Sequence, residues 1–421
     1  MRKIAIIGAG QAGMQLALSL LRHGYEVTVF SAVTPDQLRG GRPLSTQVLF
    51  APALAAERAY GLNPWELATP PLAGSRITLC DPPGTPAITF NAVLEEPARS
   101  TDQRLKMSGW LEMAEQQGAR VIYQAASAAD VDTLAASGRY ELVLVAAGRG
   151  ELGEIFAADP ARIVHTGPQR VISAAYVDGF QPDPAWPAPH MAFEPLPGIG
   201  EFFAFPALTL GGTCDILVWE AVIGGPADRG PAGGLDPEQT LDLILDLTQT
   251  FTPHVAARAR TVTLTDPRGA LYGRIAPRVR RPVARLPGGG LAFGVGDVLA
   301  TKDPIAAQGG NSAAKAAAHY LMAILTRGDE PFTAEWMADT FETFWTTHGR
   351  PAQRFSNSLL SAPQPHHLRI FAAAAAHQPV ADRFAHGLTD PRDLDWFTDP
   401  DATEAYLGTA ALPPAELWSV A

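Results

Sequence analysis

The chain opens with two apolar runs separated by a stretch of helical periodicity. Lys3 to Ile7 is short and apolar, Met14, Leu16, Ala17, Leu20 and Leu21 recur at helical spacing over 11–23, and Glu26 to Phe30 alternates. This predicts strand, helix and strand, with Gly24 where the helix stops. Proline-rich sequence follows over about 46–100, broken by short strand-like runs such as Ile77 to Leu79. Helix and strand then alternate again: a helix from about Asp102 to Gln117, a strand Arg120 to Tyr123, and a buried strand Leu142 to Ala146.

From 166 onward proline and glycine mark loops at 181–189 and 224–231, with strand-like Glu201 to Phe205 and Asp215 to Trp219 between them. Leu291 to Val295 reads as a further strand and Ser312 to Leu325 as an alanine-rich helix. From 329 to the end the pattern is helical, including Phe371 to Ala376. The expected fold class is α/β. A discontinuous Rossmann-like domain (1–45, 101–165, 276–328) interweaves with a β-sheet domain (46–100, 166–275), and 329–421 forms a helical region.

Composition narrows the function classes. With 421 residues, 47% hydrophobic and 18% charged, the chain has ample core for two packed domains. A formal net charge of −11 offers no basic stripe to replace counterions, which argues against nucleic acid. No apolar stretch reaches the length of a membrane span, and the first strand begins at residue 3, so the expected setting is the cytoplasm. Cys80 and Cys214 are the only cysteines, too few for a disulfide framework. No metal is expected, and the His366-His367 pair beside Pro365 reads as surface rather than ligand.

The chemistry lies in the glycines. Gly8-Ala9-Gly10-Gln11-Ala12-Gly13 follows the first strand and opens the first helix. In a dinucleotide fold Gly8 allows the tight turn, Gly10 lets the backbone approach a pyrophosphate, Gly13 permits close packing, and the helix N-terminus attracts the anion. The acid that commonly ends the second strand and holds the ribose is absent, since Phe30 is followed by Ser31. A neutral hydroxyl binds more weakly than a charged group, which implies either a cofactor loose enough to exchange or a ribose held by another residue.

Far downstream, Gly294-Val295-Gly296-Asp297 precedes Asp303-Pro304-Ile305 and Gln308-Gly309-Gly310-Asn311. Asp297 is suited to accept a bond from a ribityl hydroxyl. The N–H groups of Gly309, Gly310 and Asn311 at a helix start face the negative charge of a reduced flavin, and Pro304 and Ile305 supply an apolar wall beside the ring. The two stretches together read as an FAD site.

These motifs, with Arg42 and the Arg104-Leu105 pair, resemble the two-component styrene and indole monooxygenases, the group E flavoprotein monooxygenases, over nearly the whole chain. The resemblance implies a para-hydroxybenzoate hydroxylase-like fold and a separate NADH-dependent flavin reductase that supplies reduced FAD. It also implies oxygen addition at flavin C4a, with transfer of one oxygen atom from the hydroperoxide to an alkene. It adds Ala126 to the cofactor-binding residues, names a small aromatic alkene such as indole as substrate, and leaves room for a homodimer.

Ser45 and Gln47 follow the indole-type pattern, Leu49 replaces its methionine, and Ile305 suits it too. That type forms the 2,3-epoxide of indole, which leads to indigo. Leu44, Phe203 and Phe205 are further candidates for the pocket. The aspartate that NADPH-binding aromatic hydroxylases carry after the strand ending at Ala146 is missing, with Ala147-Gly148 in its place, in keeping with an external electron source. A self-sufficient NAD(P)H-dependent aromatic hydroxylase and a non-catalytic flavin-binding protein are the competing readings. The Trp-x-Trp-x-Ile-Pro signature of flavin-dependent halogenases is not present.

Overall fold

A computed structural model describes residues 2–148 and 150–409. Its first sheet has six strands in the order Val283–Arg285, Leu291–Gly294, Leu142–Val145, Lys3–Ile7, Glu26–Ser31 and Arg120–Tyr123. All neighbours pair in parallel except Val283–Arg285, which runs antiparallel to Leu291–Gly294. Helices cover a parallel sheet on both faces, so its central strands are apolar throughout rather than alternating. Ile4, Ala5, Ile6 and Leu144 are accordingly sealed from solvent.

Parallel strands end on one common edge. The turns after Ile7, Val145 and Gly294 therefore meet there, at the place where strand order reverses across Lys3–Ile7. That reversal is where open α/β sheets bind nucleotides.

The second sheet runs Thr263–Leu264, Arg170–Asp178, Gly212–Val222, Gly200–Thr209, Met191–Leu196, Leu72–Cys80 and Pro86–Ala98, with Ala270–Arg274 also paired to Arg170–Asp178. Side chains alternate between its faces. One face, with Ile172, Phe203, Phe205 and Val218, shares a core with the C-terminal helices; the other, with Leu217 and Trp219, is covered by the helix Pro237–Phe251. That helix falls in a stretch read only as sheet. Its start signal was present in Asp236-Pro237-Glu238-Gln239, which forms a reciprocal capping box.

The opening helix spans Gln11–Arg22, the next predicted helix Gln103–Gln116, and the alanine-rich one Gln308–Arg327, one turn longer at its start than expected. The C-terminal region is helical as expected from Ala334 to Thr409, apart from short connections. His367 corrects the surface reading of its histidine pair. It is buried and stacks on Phe397 at 4.6 Å, and burial pushes its imidazole down to about 4.

Candidate active site

The opening glycines divide their work by geometry. Gly8 has φ +111°, and a Cβ there would lie 2.8 Å from the Ala147 nitrogen, so only glycine fits. A Cβ on Gly13 would come within 2.3 Å of the Gly8 carbonyl oxygen, which shows how tightly the helix folds back on the turn. Gly10 differs, because a Cβ there would meet nothing within 4 Å. Its open side leads to a helix start with no side-chain cap and no acidic residue in the first turn. Free N–H groups and the positive end of the helix dipole thus border open space, as an anionic pyrophosphate requires.

The downstream glycines close on the same point. Gly296 has φ +72°, and its Cβ would lie 2.9 Å from the Ala12 Cβ. Gly148 abuts the Asp297 carbonyl, since a Cβ on it would lie 3.2 Å from that oxygen. Asp297 is exposed, and buried Lys302 beside it is pushed down to about 8 by burial against Asp297's opposing pull. The chain then turns through Pro304–Ala306 to Ala307, whose φ of +53° makes it the one non-glycine residue with positive φ among the described residues. Such strain gathers where a site demands an unusual backbone path. Ala307 delivers a second uncapped helix start, at Gln308, again with no acid in its first turn. Gly309 faces open space, and Gly310 packs against Gln47 and Leu49.

Between this second helix start and the sheet lies a narrow cleft that opens to solvent. Pro304 and Ile305 form one wall, and Phe193, Phe203 and Phe205 form another. Phe193 and Phe203 stack in parallel at 4.8 Å. Leu359, Phe384 and Leu388 from the C-terminal helices cover it. This is an aromatic slot, and among the described residues Glu220 is the only ionisable one lining it.

The predicted residues separate into groups. Phe203, Phe205, Pro304 and Ile305 line the cleft, whereas of the segment 44–49 it is Thr46 and Val48 that reach it. Gln47 and Leu49 border a smaller neighbouring cleft, and the Gln47 carbonyl accepts a bond from the Gln103 amide. Leu44 is exposed, and the Ser45 carbonyl accepts a bond from the Tyr176 hydroxyl at 2.9 Å. The segment forms no strand beyond one bridge, between Leu49 and Arg99.

Several predicted cofactor ligands have their side chains engaged within the protein. Gln11 bonds to Glu57, Gln308 to the Leu388 carbonyl at 2.8 Å, and Asn311 both accepts from the Phe50 N–H and donates to the Val48 carbonyl. What these positions can still offer a cofactor is backbone. Arg104 is buried in bonds to Asp102 and Asp266. Arg42 is exposed, and Ala126 lies just past the strand Arg120–Tyr123, partly buried against the core. The buried Ser31 hydroxyl turns back to the Val33 carbonyl at 2.6 Å, so it is not directed outward to a ribose.

Sequence reasoning missed Phe193, Glu220 and the C-terminal cover. A lone acid inside the apolar run Leu217-Val218-Trp219-Glu220-Ala221 was the available signal. It also missed Cys80, Glu194 and His254, three metal-ligand types that converge within 4.8 Å. Hydrogen bonds account for that group: Glu194 accepts from Cys80 at 3.5 Å and pairs with His254 at 3.0 Å, while burial pushes the thiol up to about 12.

The residues present fit FAD. Two uncapped helix starts, each beside a glycine open to space, lie on the nucleotide edge of the sheet and at the mouth of an aromatic cleft.

Comparison with known proteins agrees. Residues 148–258 match the family described as "Styrene monooxygenase A putative substrate binding domain". A styrene monooxygenase StyA from a Pseudomonas species is 30% identical over 413 residues, covering 95% of this chain and 96% of the relative. StyA of Pseudomonas fluorescens is 29% identical over 409 residues, with the same coverage. Among solved structures, the flavin-dependent brominase Bmp2 superposes with a TM-score of 0.65 at 13% identity, covering 97% of this chain and 98% of its own. The p-nitrophenol 4-monooxygenase PnpA of Pseudomonas putida DLL-E4 does so at 0.62 and 10%, covering 93% and 99%. These two likenesses establish the shared fold.

Proposed function

The chain belongs to the styrene monooxygenase family, and from that membership we propose that it is the oxygenase component of a two-component system. It takes reduced FAD from a separate NADH-dependent flavin reductase and uses O2 to epoxidise small aromatic alkenes. We place indole, attacked at its 2,3 bond, and styrene-like alkenes in its substrate range. The observation that carries the reading is the placement of the second uncapped helix start, at Gln308 to Gly310, beside the aromatic cleft. The cleft itself is apolar on both walls.

Oxygen activation at flavin C4a is the cofactor's own chemistry. The protein's part is binding, orientation and exclusion of water. The open sides of Gly10 and Gly309 admit the pyrophosphate and the flavin ring, and the helix N-termini favour the charge that reduced flavin carries. Phe193, Phe203 and Phe205 hold a flat substrate opposite Pro304 and Ile305, and the C-terminal helices keep the slot dry. Ser45 and Gln47 support the indole-type assignment, Gln47 through its packing against Gly310. The buried, inward-turned Ser31 supports a cofactor that exchanges, with reduced FAD bound more tightly than oxidised FAD. No described helix is long and apolar enough to cross a membrane, and we propose a cytoplasmic setting.

The test combines the protein with FAD, NADH, an unrelated flavin reductase, and indole or styrene. The reading expects indole consumption with indigo formation, and styrene oxide from styrene. No consumption of either, with the reductase shown to be active, would refute it.

A further inference from the structure

One end of the cleft-facing sheet surface carries more buried negative charge than it can hold. Glu220 shares the face of Ile216 and Val218, Glu201 stands directly across from it on one neighbouring strand, and Arg170 lies on the strand that flanks it on the other side. Asp303 comes from the turn before Pro304. All four are buried, at 5% exposure for Arg170, 7% for Glu201, 3% for Glu220 and 1% for Asp303.

Arg170 grips Glu201 with both arms, at 2.7 and 2.9 Å. One guanidinium therefore faces three carboxyl groups and is committed to one of them. Two further buried carboxylates without their own cation are too costly to ionise together, so one is neutral.

The unpartnered atoms show where the proton goes. Glu220 Oε2 and Asp303 Oδ2 are both sealed from solvent with no hydrogen-bond donor, while Asp303 Oδ1 accepts the Ile305 N–H at 3.2 Å. Two carboxylates cannot bond to each other, but a single proton between them satisfies both orphan oxygens. Burial and the neighbouring acids hold Glu220 well above the usual carboxyl range. Asp303 is pushed up only to about 6, because the Ile305 N–H, Arg170 and Glu220 all favour its charged form. Glu220 is thus the proton holder. His165, the other titratable group beside Arg170, is itself pushed toward neutral by burial and by Arg170.

We propose that Glu220 and Asp303 share one proton, and that Glu220, kept as a neutral acid, anchors an aromatic substrate by accepting a hydrogen bond from its ring N–H. With Oε2 donating to Asp303, Oε1 is the oxygen left to face the cleft. An ionised carboxylate there would oppose entry of a pure hydrocarbon, whereas a neutral acid admits one and still rewards a substrate bearing a donor. Glu220 is then a specificity-determining residue for N–H-bearing bicyclic alkenes. The inference rests on the reading of this cleft as the substrate site.

Two measurements on the flavin-free full chain test it. Infrared spectroscopy at mildly alkaline pH should show a protonated-carboxyl carbonyl band that disappears in Glu220→Gln. Equilibrium binding should show indole weakened about tenfold by Glu220→Leu, with styrene changed less than about twofold, as expected for one lost hydrogen bond. Glu220→Gln, which retains an acceptor, should hold indole within about threefold. Absence of the band, or equal weakening of indole and styrene, would overturn the proposal. Failure of the reductase-coupled assay with the band and the binding difference intact would instead fell the oxygenase reading and leave the acid anchor standing.

Discussion

Gly296 is pressed against Ala12, so that a Cβ on Gly296 would stand 2.9 Å from the Ala12 Cβ. The contact joins the turn after Leu291–Gly294 to the first turn of the opening helix and so makes one site from two distant stretches. Gly296 also has φ +72°, which a side chain disfavours. Gly296→Ala is expected to cost about 1–3 kcal/mol through strain and overlap, read as a lower denaturant midpoint with unchanged m-value.

Gly10 and Gly13 should part company under substitution. Gly10→Asp has room for its side chain, and the carboxylate caps the helix. It should fold with a melting temperature near that of the wild type yet lose FAD binding by about a hundredfold or more, since it puts negative charge where the pyrophosphate enters. Gly13→Ala would drive a methyl group into the Gly8 carbonyl, 2.3 Å away, and should lower stability itself. Thermal melts and flavin titration of both variants separate the two effects.

Arg104 should prove a fastener of the fold. It ties Asp102, which is sealed from water, to Asp266, and Thr209 donates to the same Asp102 carboxylate at 2.7 Å. Arg104→Met leaves Asp102 buried without its cation and should cost about 3–5 kcal/mol in chemical denaturation. An unchanged melt with weakened FAD binding would show instead that Arg104 serves the cofactor directly.

Asp303 makes a statement about pH. Its folded pKa is raised from 3.8 to about 6, chiefly by burial, so the folded state binds its proton more tightly than the unfolded chain does. The stabilisation is therefore complete below about pH 4 and is lost as pH rises through about 6. The stability difference between wild type and Asp303→Asn should fall across that window by about 3 kcal/mol, measured by urea titration at several pH values.

The sequence exposed the backbone of the site better than its side chains. Glycines announce themselves because turns and close approaches exclude other residues, and Gly8, Gly13 and Gly296 each show that exclusion. Asp102 announced its helix and is its N-cap. Side-chain direction was harder to read. In the segment 44–49 the alternate residues Thr46 and Val48 reach the cleft, because this irregular stretch has no strand partner to fix its facing. Gln308 and Asn311 flank the Gly309-Gly310 pair at the helix start, yet their amides bond to Leu388 and Val48 from remote parts of the chain, pairings that no local spacing encodes. Glu220 was visible as an acid among apolar neighbours, but its partner Asp303 comes from another element altogether.

The central claim is that flavin arrives already reduced and that oxygen reaches the substrate from O2. A single turnover tests it most directly: protein loaded anaerobically with photoreduced FAD is mixed with indole or styrene and 18O2, and the product is examined for label. The account predicts one 18O atom per product, together with no flavin reduction when NADH or NADPH is added to the FAD-loaded protein without a reductase. Unlabelled product, or rapid bleaching of the flavin by the nicotinamide alone, would contradict it.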